Sequence, residues 1–172
     1  MSLVRSFPPI ADAKARVLIL GSMPGLASLA AGQYYAHAQN LFWQILGEVT
    51  GAAASLPYAT RVRALKSSGI ALWDVLAACV REGSLDSAID AASMSVNDFG
   101  AFYRAHPGIV QVFFNGAKAE ASYRRHVLPA LADAIAPAKL VRLPSTSPAN
   151  ASMSRAHKQK VWKRTLRLSL SA

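Results

Sequence analysis

Cysteine occurs once in the 172 residues, at Cys79. One thiol excludes an internal disulfide framework, a CxxC zinc site and a Cys-ligated iron–sulfur cluster. Acidic residues are also scarce: nine Asp and Glu face nineteen Lys and Arg. No apolar run approaches the ~20 residues that cross a bilayer, so no membrane partner is expected. The N-terminal stretch has one Arg, then Phe7-Pro8-Pro9, and no long apolar segment before a small-residue cleavage site. It lacks the pattern of a secretory signal, and a cytoplasmic location is expected. Neither GxxxxGK[ST] nor GxGxxG occurs, so the usual signatures of a nucleotide-phosphate or dinucleotide site are missing.

What is present is a basic chain that can build a core. Apolar residues make up 52% and charged residues 16%, which sets it apart from disordered tails. The length fits one domain, 1–172, stable without staples, and a monomer is expected. The formal net charge of +10 attracts polyanions, nucleic acid above all. Asp133 is the last acid, and eight basic residues follow it: Lys139, Arg142, Arg155, Lys158, Lys160, Lys163, Arg164 and Arg167.

Four short apolar runs read as buried strands: residues 16–20, 69–72, 109–114 and 139–143. Near-continuous apolar strands suit a parallel sheet covered on both faces. Helical periods lie between them. Phe42, Ile45, Leu46 and Val49 fall at i, i+3, i+4 and i+7. Residues 57–67 read as a helix with Pro57 near its first turn and Gly69 just past its end. Asn97 or Asp98 caps a short helix through Tyr103. Residues 117–134 form one or two helices around Pro129. In 154–170, Lys160, Lys163, Arg164 and Arg167 share one face, with Trp162, Leu166 and Leu170 opposite. The alternation predicts an α/β fold, a three-layer α/β/α sandwich around a four-stranded, mostly parallel sheet.

In such sheets ligands bind beyond the carboxyl ends of the strands. The loops there are Gly21-Ser22-Met23-Pro24-Gly25, Trp73-Asp74, Asn115-Gly116 and the run from Pro144 to Asn150. A Gly-rich turn such as the first can bind anions through backbone N–H groups, or can simply be a tight turn. Asn40 sits where a helix N-cap belongs. Tyr34, Tyr35 and His37 either contact a base or pin their loop, and Trp43 lies off the apolar stripe. Asn115 offers donor and acceptor, which suits reading a base edge, although Asn-Gly is also a common turn. Asp74 reads more readily as a helix cap than as a site residue. Cys79 reads as a small core residue.

Four motifs in order at strand ends carry a resemblance: GSMPG, YYAHAQNLFW, FFNG and LPSTSPAN. Over roughly residues 16 to 165 the chain resembles the uracil-DNA glycosylase superfamily, and within it the hypoxanthine-DNA (DNA-deoxyinosine) glycosylase branch. The resemblance implies cleavage of the N-glycosidic bond of a deaminated base in base-excision repair, with no metal and no cofactor. The implied partner is double-stranded DNA containing such a base.

In mismatch-specific relatives the first loop reads GINPG, and its Asn positions the hydrolytic water. Met23 stands there instead, as a polar residue is also lacking in the hypoxanthine branch. The resemblance places the catalytic amide at Asn40. Ala38 occupies a position that is often Pro in the family. The base-binding set implied is Gly21, Ser22, Met23, Tyr35, His37, Phe42 and Asn115. The DNA-binding set is Ser145, Thr146, Ser147, Pro148, Met153 and Lys158, with Met153 as a candidate wedge into the base stack. A uracil or mismatch-specific glycosylase and a non-catalytic binder of damaged DNA stand as the alternatives.

Overall fold

The computed structural model describes residues 2–133, 135–137 and 139–172. Its centre is β2 (Val17–Gly21), a run of five buried residues. On one side β2 pairs with β3 (Ile70–Asp74), on the other with β6 (Gln111–Asn115), and β6 pairs with β7 (Lys139–Leu143). The order is β3-β2-β6-β7 and all three pairings are parallel. The sequence predicts a mostly parallel sheet; this one is wholly parallel.

Alternate residues of these strands feed two separate cores, because successive strand side chains point to opposite faces. Val17, Ile19, Ile70, Leu72 and Phe113 pack with α2 (Phe42–Thr50), α3 (Tyr58–Ser67) and α6 (Arg155–Leu170) through Phe42, Leu46, Leu65, Trp162 and Leu166. Leu18, Leu20, Ala71, Val112 and Phe114 pack with α4 (Phe99–Ala105) and α5 (Ala117–His126) through Phe99, Phe102, Tyr103 and Tyr123. Burial on both faces is why β2, β3 and the middle of β6 read as near-continuous apolar runs, whereas the edge strand β7 keeps Lys139 and Arg142 exposed. The result is the expected three-layer sandwich.

The helix starts follow local chemistry. The Asp98 carboxylate accepts from the Ala101 amide (2.9 Å), and Ser154 Oγ accepts from the His157 amide (3.2 Å). The predicted helix 117–134 ends at His126, and a single 3-10 turn, Leu128–Ala130, follows. The end of that prediction, Ala134, lies outside the described residues.

A second sheet is absent from the sequence reading. It pairs β1 (Ser2–Arg5), β4 (Leu76–Arg81) and β5 (Ser95–Val96) antiparallel in the order β1-β4-β5. Only Val75 separates β3 from β4. A strand that turns directly into another gives no Gly or Pro punctuation to mark the join. Trp73 and Asp74 are thus strand residues and not a loop, and Asp74 caps no helix: β4 follows it. Met23, Leu76, Cys79 and Ile89 form a small third core under this sheet. Among the described residues no helix is long and apolar enough to cross a membrane.

Candidate active site

A cavity of about 490 Å³ opens at the carboxyl ends of the parallel strands. That volume lies within the ~300–1,000 Å³ usual for small-molecule pockets. Four segments build its wall: 21–28, which includes the start of α1 (Leu26–Ala31); residues of the 34–40 loop; 84–86; and 145–150. Asp74 and Asn115 contribute from the ends of β3 and β6. Most of the expected site residues meet here: Gly21, Ser22, Met23, Tyr35, His37, Asn40, Asn115, Ser145, Thr146, Ser147 and Pro148.

Asn40 precedes α2. Its Oδ1 accepts from the Phe42 amide (3.0 Å), satisfying one free donor of the helix start. This fixes the amide plane and leaves its NH₂ group unspent. The loop carrying it is tied at several points. The Leu41 amide donates to the Thr146 carbonyl (3.1 Å), and Arg155 Nη1 donates to the Gln39 carbonyl (3.0 Å). His37 is exposed at the mouth, and its Nδ1 accepts from the Gln39 amide (3.2 Å).

Tyr35 is the one described non-glycine residue with positive φ, at 53°. A left-handed conformation there costs on the order of 1–3 kcal/mol. Its ring stacks on Phe42, centroids 4.1 Å apart and planes at 23°. That packing holds the ring and turns the hydroxyl toward β2. The neighbouring Tyr34 is buried and pins the loop: its hydroxyl donates to the Pro8 carbonyl (3.0 Å), and Trp43 Nε1 donates to the Tyr34 carbonyl (2.7 Å).

Asn115 is heavily engaged. Its Nδ2 donates to Thr146 Oγ1 and its Oδ1 accepts from the Thr146 amide, both at 2.9 Å. Thr146 is 1% exposed, so its hydroxyl faces inward to Asn115. A continuous chain of contacts therefore runs from the end of β6 through Thr146 to Leu41, the neighbour of Asn40. Gly116 follows at φ 96°, where a Cβ would sit 3.1 Å from that of Ser145, so the glycine lets the two loops close together.

On the other side of β2, Asp74 is 3% exposed and lines the same cavity. Burial raises its carboxyl to about 7; the nearby Asp86 adds to the rise and Arg81 opposes it. Gly21 lies between Asp74 and Tyr35. A Cβ there would fall 2.5 Å from Asp74 Oδ1 and 2.8 Å from the Tyr35 hydroxyl, so only glycine lets both groups approach the strand. The Tyr35 phenol is also pushed up, by burial first and by Asp74 second, and it stays a neutral O–H donor.

Arg81, 1% exposed, fastens the remaining wall. Its Nε donates to the Gly83 carbonyl (2.9 Å) and its Nη2 to the Pro24 carbonyl, joining the 21–25 loop to the turn after β4. Ser22 Oγ donates to Asp86 Oδ1 (2.6 Å) across the same seam. Met23, 7% exposed, turns into the small third core.

Three expected contacts are placed elsewhere. Phe42 is fully buried and does not line the cavity; it supports Tyr35 from behind. Lys158 is 3% exposed, and its Nζ donates to the Ser147 carbonyl (3.3 Å) and to the Asn150 carbonyl. The amine braces the 145–150 loop from beneath. Met153 lines a neighbouring shallower cavity with Gly116, Arg142 and Asn150. Nothing in the sequence marks Asp86 or the 84–85 turn as part of the site, and Asp74 reads there as a helix cap. One signal was available for Asp74: an acid closing an otherwise apolar strand must be paired, protonated or functional. Among the described residues no group of three or more His, Cys, Asp or Glu could hold a metal ion.

The match to known proteins agrees with this layout. The sequence profile described as Uracil DNA glycosylase superfamily matches residues 8–166. A hypoxanthine DNA glycosylase from Methanosarcina barkeri is 41% identical over 115 residues, 66% of this chain and 72% of that protein. One from Methanosarcina acetivorans is 38% identical over 116 residues, 67% of this chain and 72% of that protein. A solution NMR structure of a proposed uracil DNA glycosylase from Methanosarcina acetivorans superposes with a TM-score of 0.80 and 32% identity, covering 98% of this chain and 99% of that one. A parallel sheet whose strand-end loops close one cavity, matched from residue 8 to residue 166, places this chain in the uracil DNA glycosylase superfamily.

Proposed function

We propose that this protein is a monofunctional DNA glycosylase that releases hypoxanthine from double-stranded DNA and acts as a monomer. The observation that carries the reading is the placement of Asn40: a fixed amide facing a base-sized cavity at the strand ends, in a chain similar to two hypoxanthine DNA glycosylases.

A base inside a duplex cannot reach this cavity unless it is flipped out of the stack. Once seated, its departure leaves positive charge on the sugar, as in other oxocarbenium-like glycosyl transfers. An amide is too weak a base to deprotonate water outright. Asn40 orients the water against C1′ and stabilises developing charge by its preset position. The water oxygen bonds to C1′, the C1′–N bond breaks, and its electron pair leaves with the base, which ends protonated. The net charge of +10 and the exposed Lys160 and Arg164 of α6 draw in the phosphate backbone. Ser145, Ser147 and Pro148 present the 145–150 loop to the backbone, and Met153 beside it enters the stack.

The test uses duplex oligonucleotides carrying one hypoxanthine or one uracil, followed by alkaline cleavage of abasic sites. Strand breaks at hypoxanthine, lost in Asn40→Ala while duplex affinity is kept, are the expected result. Full activity in Asn40→Ala overturns the assignment of that residue, and DNA binding without breaks at either base overturns the glycosylase reading.

A further inference from the structure

Four buried side-chain polar atoms lack a hydrogen-bond partner among the described residues: the Tyr35 hydroxyl, Asp74 Oδ2, Arg81 Nη1 and Gln111 Oε1. Gln111 begins β6, at the far end of the sheet, and Arg81 does not line the cavity. The other two belong to side chains that flank Gly21 and line the cavity: a Cβ on Gly21 would lie 2.5 Å from Asp74 Oδ1 and 2.8 Å from the Tyr35 hydroxyl. Leaving two unmet polar groups together in a folded protein costs free energy unless something meets them. The amide that the sequence offers as base reader, Asn115, has both its oxygen and its nitrogen bound to Thr146.

The missing partner has a definable shape. A carboxylate only accepts hydrogen bonds, and a neutral phenol donates one. Deamination makes the complementary edge. In adenine and cytosine a ring nitrogen lone pair sits beside an amino group. In hypoxanthine and uracil the same two positions are a ring N–H beside a carbonyl oxygen. We propose that Asp74 and Tyr35 read this lactam edge of the flipped base: the Asp74 carboxylate accepts from the ring N–H, and the Tyr35 hydroxyl donates to the adjacent carbonyl oxygen. Adenine in the same pose turns a lone pair against the carboxylate and is rejected. The inference rests on the glycosylase reading above and assigns its discrimination against adenine and cytosine to a residue outside the four motifs.

Protonation supplies a second handle. As a neutral acid Asp74 could donate to adenine as well, so its discrimination needs the ionised form, and burial puts the change at about 7. The groups facing it are Tyr35 and Tyr34 from the 34–40 loop, Asp86 and Arg81 from the turn and strand beyond, and His37 at the mouth. Preference for hypoxanthine over adenine therefore rises with pH through that region.

The experiment measures inhibition of base release by free hypoxanthine and free adenine, from pH 6 to 8.5. The enzymes compared are wild type, Asp74→Asn and Tyr35→Phe. In wild type, hypoxanthine is the stronger inhibitor by roughly tenfold or more, a single hydrogen bond's worth, and the ratio grows with pH. An Asn amide can turn either its oxygen or its NH₂ to the base, so Asp74→Asn keeps hypoxanthine inhibition, gains adenine inhibition and has a flat pH profile. Tyr35→Phe weakens hypoxanthine alone. Variants that lose activity but keep the wild-type ratio show a structural role and overturn the inference. A pH dependence that persists in Asp74→Asn belongs to another group and also overturns it. If the variants fail to fold, the wild-type series decides: a ratio independent of pH overturns the inference. Wild type that releases neither hypoxanthine nor uracil overturns the glycosylase reading itself, a distinguishable result.

Discussion

Asn115 ends β6 on one side of β2, and Asp74 ends β3 on the other. Both line the same cavity at the same level of the sheet. Asn115 directs one N–H and its oxygen to Thr146, and Asp74 keeps an oxygen without a partner among the described residues. The difference follows from the side chains and their neighbours. An amide carries both hydrogen-bond roles, so it can clamp one residue that offers an N–H and a hydroxyl. A carboxylate carries only acceptors, and its surroundings supply Gly21, an apolar strand and a phenol that stays protonated. One strand end ties the loops around the site together, and the other keeps a buried carboxylate oxygen without a partner beside the cavity. On the proposal above, equivalent positions in a parallel sheet divide the work between scaffold and recognition.

The largest expected effect belongs to neither strand end. Asn40→Ala should lower single-turnover base release by roughly 10²-fold or more, the cost of losing one preorganised polar group, with duplex affinity unchanged. Gel-shift and quench-flow measurements on one preparation separate the two. Asn115→Ala comes next. It leaves the Thr146 amide and hydroxyl buried without partners, about 1–3 kcal/mol of stability, and slackens the link to Leu41. Thermal melts should fall and the rate should drop, but the hypoxanthine-over-adenine preference should hold. A changed preference would erase the contrast between the two strand ends.

Gly21→Ala sharpens the contrast from the other side. The added methyl meets Asp74 Oδ1 and the Tyr35 hydroxyl at 2.5 and 2.8 Å, an overpacking cost of about 1–3 kcal/mol. Base affinity should weaken while the Asn115–Thr146 contacts persist, read by inhibition with free hypoxanthine and by the Thr146 amide's hydrogen exchange. The smallest effect is a pH trend in stability. The Asp74 carboxyl rises from the ordinary 3.8 to about 7 on folding. Between those values the folded chain holds a proton that the unfolded chain has released, so stability from this group falls as pH rises. Asp74→Asn removes that loss. The melting temperature of the variant minus that of wild type should increase from pH 4 to pH 8, and a constant difference would place Asp74 in contact with solvent or a donor.

Much of this was legible in the residues. The central parallel strands are near-continuous apolar runs because both faces are covered, and that signature survives in one sequence. So do the cap at Asp98, read as Asn97 or Asp98, and the apolar stripe of α2. The motif loops lie at strand ends, so GSMPG, the stretch to Asn40, FFNG and PSTSPAN could be assigned to one site. The antiparallel β1-β4-β5 sheet was not legible. β4 follows β3 after one residue, and short edge strands hold their place by pairing across the chain and not by local pattern.

Which side chains are spent and which are free was decided by tertiary structure alone. Asn115 reads identically in sequence whether its amide is bound to Thr146 or open to a base. Lys158 reads as one more cation of a basic helix, yet it is buried against the carbonyls of the 145–150 loop. Asp74 reads as a cap because the helix it would cap is imagined, not because anything local argues for one. Periodicity, charge and turn chemistry are properties of neighbours in the chain, and the sequence by itself determined those. The state of a hydrogen-bonding group depends on partners brought from elsewhere — Thr146 lies 31 residues from Asn115 — and only the folded chain supplies them.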